Sequence, residues 1–289
     1  MILVTGATGV FGKNAIAQLI QKGVQPSNIS ALIRNPEKAD FFEEKGIQVK
    51  IGDYTDYDSL VLAFKGVDKL LFVSSSTIED RDAQHLNVVN AAKAVGIHHI
   101  VYTSFIRNTE IENSAISFLQ DSHLKTENWI KETGINYTFL QNALYMDLLP
   151  MFIGEKVLES GRIMLPAKLG KSNAVLREEL AEAAAIVLTS KGHENKVYPL
   201  VNNKGVDYTE IATYISEISG KTIKYVSPSP EEYQETLKKH GVPSEYIQLF
   251  TAFSIAQANG ELELTNNTLE KLLGRKPTTP KAFLEKIYS

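Results

Sequence analysis

The chain has 289 residues, 43% of them hydrophobic, and carries a net charge of −4. That length suits one large α/β unit, or a nucleotide domain with a smaller appendage. The acidic balance argues against nucleic acid or anionic lipid as a partner, and the absence of cysteine rules out disulfides, thiolate nucleophiles and zinc–cysteine sites. No apolar run reaches the ~18 residues of a membrane helix. We therefore expect a soluble, cytoplasmic protein with no membrane insertion, and no histidine spacing suggests a metal.

The first half alternates strand and helix patterns. Strands are predicted over residues 2–5, 29–33, 49–51, 69–73, 99–103 and 136–140. Helices are predicted over 13–22, 39–45, 57–65, 83–95 and 122–132. In the fourth of these, Leu86, Val88, Val89, Ala92 and Val95 make a helical stripe that ends at Gly96. Strands separated by helices imply right-handed crossovers and a parallel sheet. Further on, helices are expected over 148–158, 177–190, 208–219 and 231–240, with strands over 196–201 and 224–227. Two more helices are expected in the last forty residues.

The opening turn, "GATGVFG", spaces Gly6, Gly9 and Gly12 between a strand and a helix. The first glycine permits the sharp turn, the second lets backbone approach a diphosphate, and the third allows close helix–sheet packing. This is the arrangement of a dinucleotide site, with one extra residue between the first two glycines. Arg34 closes the second strand, where an NAD-specific site carries an acid. An arginine there pairs with a 2′-phosphate, so the cofactor expected is NADP(H). Asp53, in "GDYTD", is a candidate acceptor for the adenine amino group, or else an Asx-turn residue. Ser74, Ser75 and Ser76 end the fourth strand with side chains small enough to leave room for a ribose and phosphate. The fold class expected is a Rossmann-type doubly wound parallel sheet with a smaller, mostly helical C-terminal substrate cap. Residues 1–142 would bind the dinucleotide, residues 172–202 would return to that domain, and residues 143–171 and 203–289 would cap the sheet's carboxyl edge.

Taken together, "TGATGVFG", "LIRNPEKA", "GDYTD", "KLLFVSSS", "RDAQHLNVVNAAKAVGIHHIVYTSF", "HLKTENWIKETGINYTFLQNALYMD" and "VLREELAEAAAIVL" resemble the NmrA-like branch of the atypical short-chain dehydrogenase/reductases. Within it the chain looks most like the NADPH:quinone oxidoreductases of the second type and the triphenylmethane dye reductases. The resemblance implies that Gly6, Thr8, Gly9, Val10, Phe11 and Gly12 line the diphosphate and that Arg34 takes the 2′-phosphate. It also implies that Ser74, Ser75 and Ser76 border the ribose and that Thr103 and Ser104 sit by the nicotinamide. Asn142 and Tyr145, with the residues between them, would form the next wall, and Arg177 a further contact. "LQNALY" stands here where such relatives usually show "LRNGWY", so contacts of the missing tryptophan do not transfer.

Ordinary reductases of this superfamily use a Tyr-x-x-x-Lys pair, in which the lysine lowers the tyrosine's pKa. None of the twelve tyrosines here has lysine four residues on. His123 and Glu127 fall at the corresponding positions, on one helical face. His123 is therefore a candidate proton relay, the alternative being that the two simply pair. His85, in the helix after "SSS", reads first as a surface histidine, with a position that reaches the cleft as the alternative. Phe105, Phe118, Tyr145, Phe152, Phe250 and Phe253 are candidates for an apolar pocket, though most such residues are plain core.

A quinone accepts hydride and leaves as a phenolate of pKa ~10 that water can protonate. A cationic dye accepts hydride at carbon. Neither needs the missing pair. The function expected is NADPH-dependent hydride transfer to small quinone-like or extended aromatic acceptors. The alternative is a non-catalytic NADP(H)-binding redox sensor with a protein partner. A nucleotide-sugar epimerase, which needs a placed acid or base, fits less well.

Overall fold

The structure, a computed structural model, describes all residues, Met1–Ser289. Its strands are β1 (Ile2–Val4), β2 (Ile29–Ile33), β3 (Gln48–Ile51), β4 (Lys69–Phe72), β5 (His99–Phe105), β6 (Asn136–Asn142), β7 (Arg162–Met164), β8 (Lys196–Leu200) and β9 (Lys224–Val226). A seven-stranded sheet runs in the order β3-β2-β1-β4-β5-β6-β8, with every pairing parallel. The chain steps outward from β1 to β3, then returns to place β4 on the other side of β1. That reversal opens a crevice at the carboxyl ends of β1 and β4, where open α/β sheets bind ligands. A small separate sheet pairs β7 with β9.

The helices of the sheet region are α1 (Val10–Gln21), α2 (Asp40–Glu43), α3 (Tyr57–Phe64), α4 (Arg81–Val95) and α5 (Ser117–Glu132). They are followed by α6 (Leu149–Ile153), α7 (Val157–Ser160) and α8 (Arg177–Thr189). The last stretch adds α9 (Tyr208–Ser219), α10 (Pro230–Lys239), α11 (Ser244–Ala258), α12 (Thr268–Leu273) and α13 (Pro280–Tyr288). No helix is long and apolar enough to cross a membrane.

Strand periodicity divides the core. Leu3, Leu70, Phe72, Ile100 and Tyr102 face α3, α4 and α5, and pack there with Leu60, Val88 and Ile130. Their neighbours Val4, Leu71 and Val101 face the opposite way, toward Leu19 of α1 and Leu180 of α8. This alternation buries both faces, as helix-covered parallel sheets require. The second cluster runs on without a break into the cap, through Phe152, Ile163, Ile211 and Phe253. Cap and sheet domain therefore share one core. Returning residues 177–200 supply α8 and β8 to the sheet domain, with β8 pairing β6 at its edge.

Several boundaries differ from the pattern reading. The expected helix over 148–158 is broken. A 3-10 turn at Met146–Leu148 leads into α6, which stops at Gly154, and α7 starts three residues later. Gly154 has φ of +89°, a value open to glycine and rare for other residues. The three-residue strand β7 has only its middle residue buried, so it left no alternation to read. The last helices number three, because α11 spans the stretch leading into the final forty residues. Helix α5 begins at Ser117, one turn ahead of expectation.

The two segments of the cap are locked together at Gly170. A Cβ there would lie 1.8 Å from the Gln257 carbonyl oxygen of α11, while the Gln257 side chain donates to the Gly170 carbonyl at 2.9 Å. Backbone cannot yield as a flexible side chain can. Gly170→Ala is expected to lower unfolding stability by about 1–3 kcal/mol, read from the urea midpoint. An unchanged midpoint would contradict this packing.

Candidate functional site

The turn after β1 is shaped by close approach. Gly6 adopts φ of +57°. A Cβ on Gly12 would stand 2.3 Å from the Gly6 carbonyl oxygen and 2.7 Å from Ala7 Cα, so only glycine lets α1 begin this near the strand. Gly9 is the N-cap of α1. No side chain caps that end, and its first turn holds no acidic residue. Unsatisfied amides and the positive end of a 12-residue helix thus face the crevice, which favours an anion.

The crevice has a volume of 340 Å³. Gly6, Thr8, Gly9, Val10, Phe11, Gly12, Arg34, Asp53, Ser74, Ser75, Ser76, Tyr145 and Arg177 all line it. Thr103, Ser104 and Asn142 do not. At the β2 end, Arg34 is exposed and makes no ion pair, so its charge is free for a ligand. Asp53 lines the crevice and also makes the Asx turn, its Oδ1 accepting from the Thr55 amide at 2.9 Å. At the far end, Arg177 is already neutralised by an ion pair with Asp147 and lies over the Tyr145 ring at 5.4 Å.

The turn at Ser74–Ser76 is held from behind. The Ser74 amide donates to Thr103 Oγ1 at 2.9 Å, which is why Thr103 sits behind the wall rather than in it. The Ser75 hydroxyl donates to Gln84 Oε1 at 2.7 Å, and the Ser75 amide donates to His85 Nε2 at 3.0 Å. Ser104 is turned away, its hydroxyl donating to Glu127 at 2.5 Å. On the other side, the Tyr54 hydroxyl donates to the Val73 carbonyl at 2.8 Å, and the Val73 amide donates to Thr5 Oγ1 at 2.9 Å. These bonds tie the ends of β1, β3 and β4 together.

His85 is not on the surface. It is fully buried on α4. Its Nδ1 bonds Thr126 Oγ1 at 2.8 Å, and the Thr126 hydroxyl in turn donates to the Ser122 carbonyl. With Nε2 accepting from Ser75, the ring is neutral, and burial, helped by the nearby Arg81 charge, holds its pKa down at about 3. His123 does not reach the crevice either. It is buried, with Nε2 accepting from Arg81 at 3.0 Å and Nδ1 bonded to the Tyr102 hydroxyl at 2.7 Å. Both nitrogens are occupied, and burial holds its pKa well below the usual value. The proton relay expected of His123 therefore has no route to a ligand from this position. Nor does His123 pair with Glu127, which instead takes Arg107 at 2.6 Å and Ser104.

Pattern reading missed Gln84, Thr77 and the aliphatic wall of Leu32, Ile33 and Val73. A signal was present for Gln84: it stands in the first turn of the helix that follows "SSS". Phe118 is exposed on α5 rather than lining a pocket. Phe105, Phe152, Phe250 and Phe253 are buried together between β5 and the cap, with Phe152 and Phe250 ring centres 5.2 Å apart.

The buried neutral histidines give stability a defined pH dependence. His85, His99 and His123 are neutral in the folded chain, with His99 held at about 4 by burial and then by Lys69. The unfolded chain binds protons on all three below pH ~6.5, so folding is weakened as pH falls from there. Each contributes a slope of about 1.4 kcal/mol per pH unit until its folded pKa is reached. Calorimetric unfolding at pH 5 should take up about three protons on these groups, and His85→Gln should remove one. Stability that is flat between pH 7 and 5 would contradict the assignment.

Comparison with known proteins agrees with this geometry. Residues 1–284 match the NmrA-like family. Quinone oxidoreductase 2 of Escherichia coli strain K12 is 37% identical over 96% of this chain and 96% of its own. The solved structure of a Citrobacter sp. triphenylmethane reductase complexed with NADP(H) superposes with a TM-score of 0.92 at 41% identity, covering 100% of both chains. That of an Escherichia coli NADPH-dependent quinone oxidoreductase complexed with NADPH superposes with a TM-score of 0.93 at 35% identity, again over 100% of both. The chain belongs to the NmrA-like family.

Proposed function

We propose that the chain is an NADPH-dependent reductase that passes hydride to quinone-like or extended aromatic acceptors without a tyrosine–lysine pair. The observation that carries this reading is the crevice itself. It begins at an uncapped helix N-terminus, has an unpaired arginine at the second strand's end, and runs to Tyr145 beyond β6. The residues fit a phosphorylated dinucleotide. Gly12 has no room for a Cβ, and Arg34 is free to pair with a 2′-phosphate. The amides of Val10 to Gly12 would hold the diphosphate. The Ser74–Ser76 turn, fixed by Thr103, Gln84 and His85, would hold the ribose.

NADPH, when bound, supplies the hydride. The chain's own residues bind and orient. Positioning lowers a barrier most when the reacting atoms sit about 3–3.5 Å apart, so holding the acceptor against the donor carbon would be the chain's own contribution. The positions of the usual catalytic pair are filled by His123 and Glu127, both buried and both committed to other partners. That suits acceptors whose reduced form leaves as a stabilised anion or is reduced at carbon. Relatives named for quinone and triphenylmethane acceptors support the same class.

Two measurements test the reading. Mixing the purified chain with NADPH and a panel of benzoquinones, naphthoquinones and triphenylmethane dyes should bleach the nicotinamide absorbance in an acceptor-dependent way. Tight NADPH binding with no acceptor-dependent oxidation would favour a sensor instead. Arg34→Ala should weaken NADPH binding by about 1.5–3 kcal/mol, the worth of a charged hydrogen bond, and leave NADH nearly unchanged. Equal losses for the two cofactors would reject the role of Arg34.

A further inference from the structure

Tyr145 is the one residue common to the crevice and to an apolar cavity behind it, which is walled by Leu144, Met146, Leu149, Phe152 and Tyr208. In strand order it lies beyond β6, across the switch point from Arg34. A dinucleotide with its 2′-phosphate at Arg34 therefore brings its reacting end toward Tyr145. No protein group closes a hydrogen bond to the Tyr145 hydroxyl. The Asn142 amide is near enough to act on it, yet both polar atoms of that side chain are buried and unpaired. Buried polar groups rarely stay unpaired without a use for the vacancy.

A second anomaly stands beside it. Arg81 is 8% exposed, has no carboxylate partner, and leaves its Nε buried and unbonded. Its one hydrogen bond runs from Nη2 to the neutral ring of His123. It also occupies the first residue of α4, where the helix dipole disfavours a cation. Burying an uncompensated charge there is costly unless something anionic joins it. The charges of Arg177 and, more weakly, Arg81 favour an ionised Tyr145 hydroxyl, but burial outweighs them and keeps it protonated, its pKa above the usual value. A neutral hydroxyl under the pull of nearby cations is suited to donate a hydrogen bond.

We infer that Tyr145 is a catalytic residue, the hydrogen-bond donor that receives the acceptor's reacting oxygen, and that Arg81 is the positioning residue whose fixed charge favours the oxyanion formed there. The inference rests on the reductase reading above. The hydride forms a new C–H bond at a conjugated ring carbon of the quinone, the adjoining C=C and C=O π bonds shift, and the electron pair settles on the carbonyl oxygen. Tyr145 keeps its proton and donates a hydrogen bond to that oxygen; water then protonates the oxyanion, and the added ring hydrogen leaves as a proton while the second carbonyl oxygen gains one, which restores the aromatic ring of the hydroquinone. A carbon-centred cationic acceptor develops no oxyanion and draws nothing from this donor. Preorganised donors aimed at developing charge supply a large share of such rate enhancement.

The test compares single-turnover rates of NADPH oxidation by a quinone and by a cationic triphenylmethane dye. Tyr145→Phe should slow the quinone reaction at least about tenfold more than the dye reaction, a cautious fraction of the ~10²–10³ seen for oxyanion donors. Arg81→Met should show the same bias, and Arg81→Lys should recover part of it. If wild type works and Tyr145→Phe reduces quinone within twofold of it, or slows both acceptors alike, the assignment is overturned while the reductase reading stands. If wild type oxidises NADPH with neither acceptor, the reductase reading falls and takes the assignment with it.

Discussion

The contact between Gly12 and the Gly6 carbonyl is the constraint on which the rest depends. Because no side chain intervenes, α1 starts directly over the end of β1 and points its uncapped amides into the crevice. A helix set back by one Cβ would leave those amides short of any phosphate. The reversal of strand order beside β1 then supplies the opening, and the ends of β2, β3 and β4 supply its walls. The dinucleotide site is thus a consequence of topology and of one missing Cβ, with side chains added for selectivity.

The walls are stiff because they are bonded from the rear. Thr5, Tyr54, Thr103 and His85 each hold a backbone amide or carbonyl of the turn after β4. The neutral state of His85 matters, since a protonated ring would lose the acceptor nitrogen that Ser75 uses. The shared core has a similar effect at larger scale. The cluster that packs α1 and α8 on the sheet also packs α6 and α11 of the cap. Tyr145, on the connection between sheet and cap, is therefore held on both sides, between the crevice and the apolar cavity.

Much of this was legible in the sequence, for physical reasons. Parallel strands buried on both faces read as apolar runs, and the glycine triplet, Arg34 and the three serines lie within a few residues of strand ends, where the topology exposes them. Less legible were features that depend on depth and on partners far along the chain. His123 matches the position of a catalytic tyrosine, but only the packing of α5 shows it sealed against Arg81, 42 residues away. His85 reads as polar and exposed on a helix, yet it bonds Thr126, 41 residues on. The break at Gly154 and the short strand β7 carry too little hydrophobic pattern to be distinguished from a continuous helix.

Titration calorimetry of the unmodified chain with NADPH and with NADH, repeated at rising salt, tests the central claim most directly. The two nucleotides differ by the 2′-phosphate alone. Binding of NADPH at a single site, at least about tenfold tighter than NADH and with the gap narrowing as salt screens the Arg34 charge, is the expected result. Equal affinities at all salt concentrations, or no binding of either nucleotide, would contradict the assignment of the crevice.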